Sequence, residues 1–136
     1  MSIVKGGCLC GTIRYEVNGP LGRADNCHCS MCRKQHGAAF ATYADINPDD
    51  FTWVNGVDCI NVYETASGAG WCFCGKCGST LAGTTSGQVT SITLGAVDGD
   101  PCVKPESHIF IASKANWFEI TDDVPKFKER QKWLVS

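Results

Sequence analysis

The sequence lacks any stretch apolar enough to enter a membrane: nothing approaches the roughly 20 consecutive apolar residues that a spanning helix needs. The opening Met1-Ser2-Ile3-Val4-Lys5-Gly6-Gly7 has no apolar core of the kind a secretory signal carries. Positive charge is not in excess either, with 12 Lys and Arg against 14 Asp and Glu. A chain so balanced gains little from counterion release on DNA or RNA. Linkers, repeated units and low-complexity tracts are also missing. These absences predict a cytoplasmic protein with neither a membrane nor a nucleic-acid partner, folded as one domain over residues 1–136.

What the chain has instead is cysteine, ten in 136 residues, together with 15 glycines. In a reducing compartment, clustered thiols more often bind metal than pair as disulfides. One run stands out, Cys27-His28-Cys29-Ser30-Met31-Cys32, a C-x-C-x-x-C spacing. Extended backbone across Cys27 and Cys29 turns both sulfurs to one side, and a tight turn through Ser30 and Met31 brings Cys32 back towards them. A zinc ion held by three such sulfurs keeps one coordination position for another molecule.

A second cluster, Cys74-Gly75-Lys76-Cys77-Gly78, has the composition of a zinc knuckle, since its glycines let backbone N–H groups turn towards sulfur. Its natural complement is Cys8-Leu9-Cys10-Gly11, and the two pairs together make a closed, structural site of four sulfurs. Spacing leaves one ambiguity open, because Cys72, Cys74 and Cys77 also read C-x-C-x-x-C. Cys72 reads equally as a core thiol between Trp71 and Phe73, and Cys59 and Cys102 stand alone as inert thiols. Two zinc ions are therefore expected. Seven thiolates contribute seven negative charges and two divalent ions four positive, which moves the formal net charge from −2 to −5.

Between the clusters the pattern is that of short strands. Ile13, Tyr15 and Val17 alternate with Thr12, Arg14 and Glu16, and further strands fit Ala38 to Tyr43, Phe51 to Val54, Ile60 to Tyr63, Thr80 to Ala82, Val89 to Leu94 and His108 to Ile111. Ser30 is placed to cap a short helical turn through Gln35, ended by Gly37. The sustained helix is expected at the C-terminus, from Pro125 to Val135, with Phe127, Arg130, Trp133 and Leu134 on one face. The fold class is mainly β with this short C-terminal helix.

Three thiolates on Zn²⁺ leave a net negative unit, a weak Lewis acid suited to holding a soft ligand, and a substrate thiol is the obvious one. The chemistry expected is therefore at sulfur. The competing reading closes the Cys27, Cys29 and Cys32 site with a histidine, His28 or His36. His36 and His108 are candidates to supply a proton to a developing alkoxide. Arg33, Lys34 and Lys114 are candidates for substrate carboxylates, and Trp53, Trp71 and Trp117 for pocket walls or core.

Taken together, Gly7-Cys8-Leu9-Cys10-Gly11, Cys27-His28-Cys29-Ser30-Met31-Cys32-Arg33-Lys34, Phe73-Cys74-Gly75-Lys76-Cys77-Gly78-Ser79, His108-Ile109-Phe110 and Ser113-Lys114-Ala115-Asn116-Trp117 resemble the glutathione-dependent formaldehyde-activating enzyme family, also called the GFA or CENP-V domain. The resemblance runs from about Gly6 to Phe127. It implies a β-tent fold with two zinc sites, the structural metal on Cys8, Cys10, Cys74 and Cys77 and the catalytic metal on Cys27, Cys29 and Cys32. It leaves Cys72 outside the ligand set. The implied reaction is condensation of glutathione with formaldehyde to S-(hydroxymethyl)glutathione, formally a carbon-sulfur lyase in reverse. The alternative within the same resemblance is a non-catalytic, zinc-stabilised binding module of the CENP-V type. That module would call for a basic surface or tail, and Lys126, Lys128, Arg130 and Lys132 supply only a modest one.

Overall fold

Alternation is clearest in β2 (Arg14–Val17), where Tyr15 and Val17, with Ile13 just before them, are fully buried while Arg14 and Glu16 are not. In the computed structural model, which describes residues 3–130, β2 is the centre of a three-stranded antiparallel sheet with β1 (Val4–Gly7) and β5 (Phe51–Asn55). Tyr15 stacks on Phe51 at 5.3 Å and meets the edge of Trp53 at 6.2 Å. Such ring pairs add to the apolar area that the strand already buries. Trp53 is thereby a core residue, and it walls no pocket beside the cysteines.

The second sheet has seven strands. Its order is β10 (Ser107–Ile109), β3 (Ala24–Cys27), β4 (Ala41–Asp45), β9 (Gln88–Thr93), β8 (Thr80–Thr85), β7 (Ala69–Cys74) and β6 (Ile60–Glu64). Every pairing is antiparallel except that of β10 with β3. Register divides the sheet into two faces of different chemistry. Ala24 lies opposite Ala44 and Ala44 opposite Ile92, and these pack with Ile13, Tyr15, Val17 and Leu81 as the main core. One residue along, Asp25 lies opposite Tyr43; further across, Asp45 meets Ser91, Ser91 meets Gly83 and Gly83 meets Trp71. A slip of one residue would exchange the two sets, so burial of the alanine and isoleucine face holds the polar set outward. Gly83 leaves room on that outward face for Ser91 Oγ, which a side chain there would displace.

The mainly β reading is correct in kind, and the structure adds and moves elements within it. β1 and the run of strand through Trp71 and Cys74 come in addition to the strands expected. β4 begins at Ala41, later than Ala38, because α1 (Ser30–His36) is one residue longer than the expected turn and must be closed first. Gly37 closes it with φ of 59°, a conformation that glycine adopts without strain. The N-cap is Cys29 and not Ser30.

The helix expected from Pro125 to Val135 is not formed over its first six residues, and the rest of it lies outside the described residues. Instead the segment runs alongside β10. The His108 N–H donates to Pro125 O at 2.9 Å, and the Phe127 N–H donates to His108 O at 2.9 Å. β10 is an edge strand with unmet backbone groups, and pairing with it satisfies more of the segment than one exposed helical turn would. Phe127 packs against the cluster formed by Cys27, Cys32, Ala41 and Ile109.

Ile92 is fully buried at the centre of the main core. Ile92→Ala is expected to lower unfolding free energy by about 2–5 kcal/mol in urea titration of the metal-loaded protein. Val62→Ala, on the exposed edge strand β6, is expected to change it by less than about 0.5 kcal/mol in the same assay.

Candidate metal centres and the cavity beside them

All ten cysteines are free thiols. Seven of them fall into two groups, and within each group the sulfurs lie no more than 4.8 Å apart. The first group is Cys8, Cys10, Cys74 and Cys77. Cys8 and Cys10 Sγ are 3.6 Å apart and Cys10 and Cys74 Sγ 3.8 Å apart. A tetrahedron with metal–sulfur bonds of about 2.3 Å has edges of about 3.8 Å, so four sulfurs at this spacing fit one ion.

Backbone and hydroxyl groups support the set. The Ile13 N–H donates to Cys8 Sγ at 3.2 Å and the Lys76 N–H to Cys74 Sγ at 3.3 Å. The Thr12 hydroxyl lies 3.2 Å from Cys10 Sγ and the Ser79 hydroxyl 3.3 Å from Cys77 Sγ. Hydrogen bonding from Ser79 leads the contacts that bring the Cys77 thiol down to about 5. Ser79 also accepts from the Leu9 N–H at 2.8 Å, tying the two knuckles together across the chain. Such contacts spread thiolate charge onto fixed dipoles.

The second group is Cys27, Cys29 and Cys32. Cys27 ends β3, Cys29 caps α1 in extended backbone, and Cys32 sits in the first turn of the helix, with its N–H donating to Cys29 Sγ at 3.3 Å. Three sulfurs this close titrate as a unit. Contacts from Cys27 and Cys32 hold Cys29 down at about 2, while the contact with Cys29 raises Cys27 to about 11 and that with Cys27 raises Cys32 further. A divalent cation would lift that conflict by stabilising all three as thiolates.

Among the described residues, no histidine nitrogen or carboxylate oxygen joins this trio as a fourth donor. His28 points to the opposite side of the strand, as alternation requires, and is fully buried among Phe40, Phe118 and His108. Its Nε2 lies 2.8 Å from His108 Nδ1, and His108 Nε2 lies 2.9 Å from Asp122 Oδ2. Burial, with His108 nearby, brings His28 down to about 4. His108 is thus turned away from the sulfurs, with a structural partner on each nitrogen. His36 Nε2 is 2.7 Å from the Tyr43 hydroxyl.

A cavity of about 500 Å³ opens beside Cys27 and Cys32, its other walls including Tyr43, Trp71, Thr84 and Arg130. Thr84 is 5% exposed, and its hydroxyl has no hydrogen-bond partner among the described residues. Of the three candidates Trp53, Trp71 and Trp117, only Trp71 reaches this cavity, while Trp117 is exposed elsewhere. The expected carboxylate partners do not line it. Arg33 Nε donates to Ser113 O at 3.2 Å and Lys114 Nζ to Ala115 O at 3.0 Å, both fastening the loop beside α1. The cation at the cavity is Arg130, whose guanidinium lies over the Phe110 ring at 5.7 Å. Tyr43 and Thr84 were not among the candidates from sequence. The signal for them is register: Tyr43 is paired with Asp25, two residues from Cys27 on the same face.

Cys72 is buried on β7, opposite Ala82 and Val62, and stands outside both sulfur groups. Cys59 is partly buried against the main core, and Cys102 is exposed. No helix among the described residues is long and apolar enough to cross a membrane.

Comparison with known proteins places these features in a family. A Halomonas elongata protein, provisionally named a glutathione-dependent formaldehyde-activating enzyme, is 28% identical over 128 residues, covering 87% of this chain and 81% of that one. A crystal structure of a Rhodobacter sphaeroides protein superposes with a TM-score of 0.57 at 26% identity, covering 71% of this chain and 89% of that one. The sequence profile described as "Glutathione-dependent formaldehyde-activating enzyme" matches residues 3–113, a span that holds both sulfur groups. The chain belongs to the glutathione-dependent formaldehyde-activating enzyme family.

Proposed function

We propose that the protein is a zinc-dependent enzyme that joins a thiol to a carbonyl carbon, with glutathione and formaldehyde as the leading pair and S-(hydroxymethyl)glutathione as the product. The observation that carries this reading is the trio Cys27, Cys29 and Cys32, with no fourth donor from the described residues and a cavity of ligand size beside it. Cys8, Cys10, Cys74 and Cys77 would hold a structural zinc, and the trio a second, catalytic one. When bound at the trio, zinc would favour the thiolate form of a substrate thiol at neutral pH.

The residues around the trio have separate tasks. Trp71 and Tyr43 wall the reacting end and limit water, which strengthens electrostatic contacts inside. Arg130 offers a fork for one carboxylate of a peptide-like thiol. In the reaction the sulfur lone pair forms the carbon–sulfur bond, the carbonyl π pair moves to oxygen, and that oxygen takes a proton from water. The reverse direction is a carbon-sulfur lyase reaction. A cavity beside the trio favours catalysis over the non-catalytic module. The reading treats residues 1–136 as one zinc domain working in the reducing cytoplasm, where free thiols persist.

Metal analysis of the purified protein is expected to give two zinc ions per chain. Cys29→Ser is expected to lose one of them with little loss of thermal stability, whereas Cys74→Ser is expected to lose the other and to unfold at markedly lower temperature. A wild-type content of one zinc, lost only in the Cys74 variant, would remove the catalytic metal from this account.

Exchange NMR of glutathione with formaldehyde is expected to show faster adduct formation with the wild-type protein than in its absence, and the spontaneous rate with Cys29→Ser. No acceleration by the two-zinc protein would exclude formaldehyde activation.

A further inference from the structure

Tyr43 occupies a position that neither the cysteine motifs nor the family relationship assigns to chemistry. It lies in β4 on the polar face of the seven-stranded sheet, opposite Asp25, and its ring packs against the cluster of Cys27, Cys32, Ala41 and Ile109. It lines the same cavity as Cys27 and Cys32. Its hydroxyl lies 2.7 Å from His36 Nε2. His36 belongs to the last turn of α1, the helix whose N-cap and first turn carry Cys29 and Cys32. The phenol and two of the sulfurs are therefore fixed to one rigid element.

A phenol has one hydrogen and two lone pairs, so the tautomer of the His36 ring decides where the hydroxyl points. With His36 in its Nε2–H form, the ring donates to one lone pair and the O–H is left for the cavity. An ordinary phenol is un-ionised at neutral pH, so Tyr43 is an O–H donor there.

We infer that Tyr43 is a catalytic hydrogen-bond donor, its O–H directed into the cavity beside Cys27 and Cys32 to stabilise the oxygen that becomes negative when a thiolate adds to a carbonyl carbon. His36, in its Nε2–H tautomer, is the positioning residue that sets the rotor of that O–H. The inference rests on the thiol-addition reading above and deepens it by naming the group that selects an electrophile with an oxygen acceptor. In that step the sulfur pair forms the carbon–sulfur bond and the carbonyl π pair goes to oxygen. Tyr43 donates a hydrogen bond to this oxygen without losing its proton, and water then supplies the proton of the product hydroxyl. A donor preorganised in a closed site is worth about 10²–10³ in turnover when it is aimed at developing charge.

The test compares wild type, Tyr43→Phe, His36→Gln and His36→Leu by exchange NMR with glutathione and formaldehyde, each variant checked for zinc content and melting temperature. Tyr43→Phe is expected to lower kcat by about 10²-fold while leaving KM for glutathione and the zinc content at the wild-type values. His36→Gln, whose amide can still donate to the phenol, is expected to retain most of the turnover that His36→Leu loses. A folded, two-zinc Tyr43→Phe variant with wild-type kcat would overturn the inference while leaving the thiol-addition reading in place. Absence of acceleration by wild type would overturn both. Should Tyr43→Phe fail to fold, the His36 pair decides, and equal losses in Gln and Leu would overturn the role of the His36–Tyr43 contact.

Discussion

Crowded sulfur is the constraint on which this structure depends. Seven thiols are drawn into two groups with sulfurs no more than 4.8 Å apart, a spacing at which they cannot all ionise without a cation between them. The two groups resolve that conflict differently. The four-sulfur set gathers residues from both ends of a long stretch of chain and surrounds them with N–H and O–H donors, so it serves as a clamp between the N-terminal segment and the end of β7. The three-sulfur set is confined to one strand end and one short helix, and a cavity lies beside it. The first arrangement suits a structural ion and the second a reactive one.

The seven-stranded sheet makes this separation possible. Its pleat sends small apolar residues such as Ala24 and Ala44 into the main core and turns Asp25, Tyr43 and Ser91 to the opposite face. The core side therefore fixes the position of the polar side, and most groups that reach the cavity, Tyr43 and Trp71 among them, are held by strands. Such support is what keeps a donor or a sulfur within a few tenths of an ångström of a working geometry. The parallel strand β10 and the segment after Pro125 extend this support, since Ile109 and Phe127 pack in the cluster that holds Cys27 and Cys32.

The histidines show how little a residue type reveals about its role. All three were chemically plausible as ligands or acids, yet each has a different assignment. His28 and His108 form a buried chain that ends on Asp122, behind the strand that carries Cys27. His36 instead meets the hydroxyl of Tyr43, a residue of the cavity wall. Alternation foretold that His28 would turn away from its neighbouring cysteines. It could not foretell that His108, eighty residues later, would be waiting there.

By itself the sequence determined the mainly β class and most of its strands, the two cysteine groups and the family, because these depend on local spacing: period-two burial, C-x-C turns and glycines at the knuckle. It also placed the short helix after Cys29 and its glycine stop at Gly37. The tertiary structure alone decided which side chains meet across strands. Tyr43 and Trp71 join the trio only through the registers of β3, β4, β9, β8 and β7 in turn, and Arg130 arrives from a segment whose helical spacing gave way to pairing with β10. The physical reason is range. A turn or an alternating strand is specified by neighbours a few residues apart, whereas an edge strand's unmet hydrogen bonds and a cavity wall are settled by whatever distant segment satisfies them best.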